Sequence, residues 1–440
     1  MKRVLIISYY WQPAGGPGSQ RIVKFSKYLQ RFGWEPLILT VQNGEFPYID
    51  NSLSRDVPEQ LKINRTRSIE PFRLYKKLTN RTDKDSLPVG LLTMKQKSIT
   101  GKLTAWIRAN LFVPDARIGW IPFAVRAGMD IIREQKIDCI FTSSPPHSLQ
   151  LCGQILKKRT GIPWVADLRD PWTGIRYYKT TSRGKLVQAI DEWFEKAVLK
   201  QADRIVTVSE SLVSEFATRI EDESTDKFLV LPNGYDEDDF KDIESETTDK
   251  FTLLHSGNLS AQQNPCILFK SLRRLIENKP GFGENLLLKF IGRIHPEVAE
   301  SLHTFGLERY ISIQSFIPHE DIIKEMVNAS VLLMVVPDIA ENAGIVTGKL
   351  FEYIGSGKPV LVIGPPEGDA GRIISQAGNS KICNYEDEQS CIDFLISMYE
   401  TWMSGNVPEN SAQFREPFSR ENLTRKLADV FDSVIEDKRK

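Results

Sequence analysis

Cysteine is scarce in this chain. Five occur, Cys139, Cys152, Cys266, Cys383 and Cys391, with no C-x-x-C pair and no histidine at metal spacing, which argues against a disulfide framework or a zinc ribbon. They read as buried thiols of a reducing compartment. Surplus charge of either sign is also missing. The 57 basic residues balance 57 acidic ones, whereas a nucleic-acid binder carries a basic excess, so no nucleic-acid partner is expected. Long apolar runs are absent too, none approaching the roughly 20 residues of a membrane-spanning helix. The apolar residues after Met1, Lys2 and Arg3 stop at Trp11, Gln12 and Pro13 without a small-residue cleavage site, so residues 4–10 read as a first buried strand and not as a signal peptide. The expected location is cytoplasmic, with contact with a membrane from that side left open.

What is present is a rhythm. Short β-branched runs at 4–10, 35–40, 139–144, 164–168, 204–209 and 228–232 alternate with helical patterns. Their apolarity is continuous, which indicates strands covered on both faces and therefore a parallel sheet. After the polar, acidic stretch 236–250 the pattern restarts, with strands expected at 251–256, 286–291, 311–316, 331–336, 359–363 and 381–383. A length of 440 residues exceeds what one core usually holds. The expectation is an α/β protein of two doubly wound domains, at 1–240 and 250–412. Ligands of such sheets bind at the carboxyl ends of the strands, so two facing domains imply a cleft. The last helix, within 415–440, carries Leu423, Leu427, Val430, Phe431 and Val434 at helical spacing and can cap either domain.

One segment breaks the rhythm. From 61 to 120, basic residues such as Lys76, Lys77, Lys95, Lys97 and Arg108 outnumber acids and interleave with Phe72, Leu91, Leu92 and Trp106. Such a surface can lie on an anionic bilayer, or it can be a solvated insertion on the acceptor side.

Chemistry concentrates in the loops that follow strands. Pro13 to Ser19 reads P-A-G-G-P-G-S, where Gly15 and Gly16 let backbone approach a ligand ahead of a helix N-terminus; the spacing is not that of a dinucleotide fingerprint. His147 follows the third strand in S-S-P-P-H, placed to hydrogen-bond a sugar hydroxyl or to cap the next helix. The fourth strand ends A-D-L-R-D-P-W, which groups Asp167, Arg169, Asp170 and Trp172. A carboxylate there can orient an acceptor hydroxyl and Trp172 can stack on a sugar, or an Asp–Arg pair can lock the loop. The D-E-D-D run at 236–239 reads as a solvated hinge and not as a metal site. In the second half, Gly257, Asn258 and Arg293 follow the first two strands, uncharged donors and one cation suited to a diphosphate. Gly344, Ile345, Val346 and Thr347 then lead into a helix carrying Lys349 and Glu352. Unpaired N–H groups at that helix start favour phosphate, and one carboxylate suits ribose hydroxyls.

In this order the pieces resemble glycosyltransferase family 4, nucleotide-sugar-dependent enzymes of the GT-B architecture, over essentially the full length. The matching stretches are G-G-P-G from Gly15, A-D-R-I-V-T-V-S-E from Ala202, L-P-N-G-Y-D from Leu231, H-S-G-N-L from His255 and K-L-F-E-Y-I-G-S-G-K-P-V from Lys349. The resemblance implies two Rossmann-like domains across a cleft, retaining transfer without a metal or other cofactor, a donor held by the C-terminal domain, Glu352 on the ribose, and a final helix returning to the N-terminal domain. Two departures stand out. The family often places a second Glu eight residues before the one equivalent to Glu352, where this chain has Gly344, with Glu341 out of register; its usual Arg and Lys after the first C-terminal strand are here Asn258 and, approximately, Gln262. The expected activity is transfer of a sugar from a nucleoside diphosphate sugar to a glycan or lipid-linked glycan, with His147, Asp167 and Asp170 as the acceptor-side catalytic set. The rival expectations are a nucleotide-sugar 2-epimerase of similar shape and a non-catalytic glycan- or nucleotide-binding protein.

Overall fold

The computed structural model describes residues 1–46, 49–69, 110–174, 183–221, 226–241, 243–246, 248–406 and 408–439. Most of the basic segment, residues 70–109, lies outside the described residues. The chain divides into two compact units, one comprising Met1–Pro232 with Leu423–Lys440, the other Asn233–Asn422.

The first unit is built on seven parallel strands: β1 (Lys2–Ile7), β2 (Trp34–Val41), β3 (Lys62–Thr66), β4 (Cys139–Ser144), β5 (Trp164–Leu168), β6 (Arg204–Thr207) and β7 (Phe228–Val230). Their order in the sheet is β3-β2-β1-β4-β5-β6-β7. Residues 62–66 were expected to belong to the insertion. They add an edge strand instead, pairing with β2 from Leu37↔Lys62 to Val41↔Thr66. One apolar residue, Ile63, among the polar Lys62, Asn64 and Arg65 is the pattern of an edge, weaker than the continuous apolarity of the central strands.

Helices cover both faces. On one, Leu5, Ile7, Ile140, Leu156 and Trp164 join a core with the helices Ile121–Glu134, Gln150–Thr160 and Lys185–Gln201. On the other, Val4, Ile6, Ile38 and Phe141 meet the helix Pro17–Tyr28 and the last helix, Arg420–Arg439. Leu423, Leu427, Phe431 and Val434 of that helix are buried there, with the Phe431 ring 5.2 Å from Trp34 and 5.5 Å from Phe141. The last helix therefore completes the first unit.

The second unit has six parallel strands: β8 (Phe251–Ser256), β9 (Leu286–Ile291), β10 (Ile311–Gln314), β11 (Val331–Val335), β12 (Val360–Ile363) and β13 (Lys381–Cys383), ordered β10-β9-β8-β11-β12-β13. It begins at Asn233, earlier than the polar stretch suggested. The D-E-D-D run belongs to it, and Asp236 is buried there, its carboxylate accepting from Asp238 N at the start of a short turn; the aspartate is a cap and not part of a solvated hinge. Cys266 is exposed, against the expectation of five buried thiols, while the other four are enclosed.

In both sheets the order reverses beside the first strand, between β1 and β4 and between β8 and β11. At such a switch point two consecutive loops diverge to opposite faces and leave a crevice at the carboxyl ends. Every loop to which a ligand contact was assigned above starts from β1, β4, β5, β8, β9 or β11. Among the described residues no helix is long and apolar enough to cross a membrane.

Candidate functional site

In the first unit the crevice is lined by the loop after β1, the turn after β4 and the loop after β5. Gly16 caps the helix Pro17–Tyr28 with φ 103°, a conformation open to glycine but costly for other residues. Gly18 in the first turn packs under Arg169, so closely that a β-carbon there would meet its guanidinium at 2.6 Å. Arg169 in turn donates from Nε to the Ser144 carbonyl at 2.9 Å, joining the β5 loop to the end of β4.

Asp167 is sealed. Arg21 donates to both carboxylate oxygens at 3.0 and 3.1 Å and Ser143 Oγ donates at 2.6 Å, all of them fully buried. Arg21 also reaches the Pro232 carbonyl at 2.8 Å. Its carboxylate therefore faces the core, not an acceptor, which corrects the catalytic role expected of it. The close lock is with Arg21, and Arg169 pairs more loosely, its Nε 3.9 Å from the carboxylate. Arg21 was missed because an arginine within S-Q-R-I-V-K-F gives no sign that it points inward. Trp172 is likewise enclosed, not presented to a sugar: Nε1 donates to Asp191 at 2.7 Å, and the ring stacks on His147 with centroids 5.0 Å apart and planes 15° apart.

His147 thus has a purpose-built seat. Ser148, next to it, is held by Asp115, which accepts from its N–H and its hydroxyl at 2.8 Å each. Both imidazole nitrogens of His147 are buried and have no hydrogen-bond partner among the described residues. Burial first, and then the Arg169 charge, depress its pKa from 6.5 to about 3, so the ring is neutral at physiological pH. Buried polar atoms are almost always satisfied in folded proteins, and two on one ring mark a place where a ligand group is wanted. Asp170 completes the group. It reaches solvent at the mouth, but surrounding walls desolvate it enough to raise its pKa, with Arg169 pulling the other way.

In the second unit the helix Gly348–Gly355 turns Leu350, Phe351, Tyr353 and Ile354 into the core and leaves Lys349 and Glu352, three residues apart, on the opposite face. Its first N–H groups, from Gly348 and Lys349, have no intrahelical acceptor. At its cap the Thr347 hydroxyl is buried without a partner among the described residues, while Gly344 is exposed and Ile345 and Val346 are half-buried. The helix is tied to the end of β8 because Tyr353 Oη accepts from Ser256 N at 2.9 Å. That tie places the Lys349 ammonium directly over Gly257, whose φ of 110° and missing side chain make room for it. Burial lowers the Lys349 pKa and Glu352 raises it. Behind them His255, its pKa also depressed to about 3 by burial and then by Lys349, contacts the Leu333 carbonyl through Nδ1 at 2.9 Å.

Asn258 is exposed, and its Oδ1 accepts from Arg293 N at 3.0 Å, bracing the β9 loop. The Arg293 side chain is exposed. Glu352 keeps an accessible edge and meets a residue not foreseen: His319 Nε2 lies 3.3 Å from its Oε1. His319 opens the helix His319–Asn328, and F-I-P-H-E carries no local mark that it will reach a carboxylate 33 residues on. The cations and donors assembled here can meet a diphosphate, and Glu352 can accept from vicinal hydroxyls. Among the described residues there is no cluster of three or more acidic, histidine or cysteine side chains able to hold a metal ion.

Two doubly wound parallel sheets with these loops define the GT-B class, and solved structures agree. The chain aligns with HepE from Anabaena, determined in complex with UDP-glucose, at 14% identity and TM-score 0.58, covering 98% of this chain and 100% of that one. Sucrose-phosphate synthase from Thermosynechococcus elongatus aligns at 13% identity and TM-score 0.61, covering 99% and 100%. TarM from S. aureus, determined with fondaparinux, α-GlcNAc-glycerol and UDP, aligns at 10% identity and TM-score 0.59, covering 98% and 100%. No curated protein matches the chain in sequence. Residues 89–239 match the model described as Glycosyltransferase Family 4.

Proposed function

We propose that the protein moves a hexose-type sugar, with retention and without a metal ion, from a nucleoside diphosphate sugar to a glycan or lipid-linked glycan during surface polysaccharide synthesis at the cytoplasmic face of a membrane. The observation that carries this reading is the shared face of Lys349 and Glu352, set over Gly257 at the switch point of the second sheet. Glu352 takes the ribose hydroxyls. Lys349, Arg293 and the N–H groups from Gly344 to Lys349 take the diphosphate, whose charge grows as it departs. In the first unit, neutral His147 hydrogen-bonds the sugar, and Asp170, with its raised pKa, accepts the proton of the acceptor hydroxyl. Arg169 holds the crevice walls together, and Asp167 and Trp172 act only by positioning it and His147. Gly15 and Gly16 keep the start of the helix Pro17–Tyr28 open to a ligand.

The test is a thermal-shift screen of nucleoside diphosphate sugars, uridine derivatives first because HepE was determined with UDP-glucose. The stabilising donor, isotopically labelled, is then incubated with and without glycan acceptors. Release of nucleoside diphosphate that requires acceptor supports transfer. Isomerised sugar without acceptor means epimerase chemistry, and binding with no turnover on any acceptor means a binding protein.

A further inference from the structure

Residues 343–347, A-G-I-V-T, join the loop after β11 to the helix of Lys349 and Glu352 and contain no carboxylate. Their backbone N–H groups suit a diphosphate, but a hexose presents ring hydroxyls that also need acceptors. One carboxylate stands against this segment from outside it. β12 is the strand next to β11, with Val335 opposite Ile363, so the turns after the two strands leave the same sheet edge side by side. The turn after β12, G-P-P-E-G-D from Gly364, brings Asp369 N to the Ala343 carbonyl, to which it donates at 2.7 Å. The fit is close enough that a β-carbon on Gly368 would lie 2.8 Å from that carbonyl. Asp369 opens the helix Asp369–Ile374 and is 3% exposed. Its Oδ1 accepts from Arg372, and its Oδ2 is buried with no hydrogen-bond partner among the described residues.

We propose that Asp369 holds the sugar of the donor, its Oδ2 accepting from a ring hydroxyl. Burying a carboxylate costs free energy that hydrogen bonds to both oxygens must offset, and here only one oxygen is answered from within the protein. The Thr347 hydroxyl, at the other end of the same five residues, is a second buried polar atom without a partner among the described residues. Nearly all buried polar groups in folded proteins are satisfied, so two that flank one short segment mark a surface shaped for a polar ligand. The chemistry favours the sugar over the diphosphate, because a carboxylate accepts from hydroxyls and repels phosphate charge. The inference rests on the donor reading above and adds to it the residue that distinguishes a sugar-bearing nucleotide from a bare one.

The full-length protein is to be titrated in a calorimeter with matched probes: UDP and UDP-glucose, GDP and GDP-mannose, ADP and ADP-glucose, dTDP and dTDP-glucose. For the pair that binds, Asp369→Asn should weaken the hexosyl compound about 10- to 100-fold and leave the bare nucleoside diphosphate within about twofold. A purely structural role acts through the Ala343 contact on both compounds alike. An equal loss in the two, or no loss in either, therefore overturns the proposal. Should the variant not fold, a crystal structure of the wild type with the hexosyl compound decides: a sugar hydroxyl within hydrogen-bond reach of Asp369 Oδ2 is expected, and a sugar lying clear of it overturns the assignment. A wild type that binds none of the eight compounds removes the donor reading and this proposal with it, whereas binding that Asp369→Asn leaves unchanged removes this proposal alone.

Discussion

At the scale of the residue, ionisation is decided by the company a side chain keeps. Asp167 and Asp170 lie three positions apart, yet one is locked by Arg21 and Ser143 while the other meets solvent at the crevice mouth. Burial holds His147 at a pKa of about 3 in the folded chain against 6.5 when unfolded. The unfolded state therefore binds more protons between those values, and the contribution to stability is whole above pH 6.5 and is lost as pH falls toward 3. Relative to His147→Asn, the wild type should lose about 2 kcal/mol between pH 7.5 and 5, measurable by denaturant titration at the two pH values. No difference would mean that the ring is hydrated. Glu352→Gln tests the ribose contact. Replacing a charged acceptor by a neutral one should weaken nucleoside diphosphate binding about 10- to 100-fold by calorimetry, with the fold intact. Unchanged affinity would remove Glu352 from the donor site.

Elements set where those residues stand. The helix Gly348–Gly355 is anchored to β8 through Tyr353 and Ser256, and that anchor is what puts Lys349 over Gly257. Gly257→Ala should cost about 1–3 kcal/mol of stability, from a side chain at φ 110° and from the displaced ammonium, and should lower donor affinity as well. Combining it with Lys349→Ala relieves the collision, so the double variant should be less destabilised than the sum of the single ones. Strict additivity in urea unfolding would show that the two do not touch. The same reasoning explains Trp172, which a strand-end position makes look like a sugar platform. Asp191, from the helix Lys185–Gln201, claims its indole and turns the ring into a seat for His147.

At the scale of the whole chain, the two units depend differently on the last helix. Leu423, Leu427, Phe431 and Val434 fill the core of the first unit against Trp34 and Phe141, although nearly 200 intervening residues, Asn233–Asn422, form the second. Phe431→Ala should destabilise the first unit by about 3–5 kcal/mol, the cost of removing a large buried ring. Calorimetry should then show the transition of the first unit shifted down and separated from that of the second. One transition displaced as a whole would mean that the units unfold together.

The sequence by itself determined the two parallel α/β sheets, because runs of continuous apolarity alternate with helical periods, and it determined which helix would carry Lys349 and Glu352, because those two polar positions interrupt an otherwise apolar turn. Only the tertiary structure decided which of these groups are available. Arg21 reaches Asp167 across 146 residues of chain and His319 reaches Glu352 across 33, and no local pattern records such pairings. The edge strand β3 belongs to the same class, while the return of the last helix to the first unit, which its periodicity left open, was implied by the family resemblance. Period and composition are local and one-dimensional, whereas burial and partnership arise from contacts between distant segments, and these determine whether a carboxylate is a lock or a reagent.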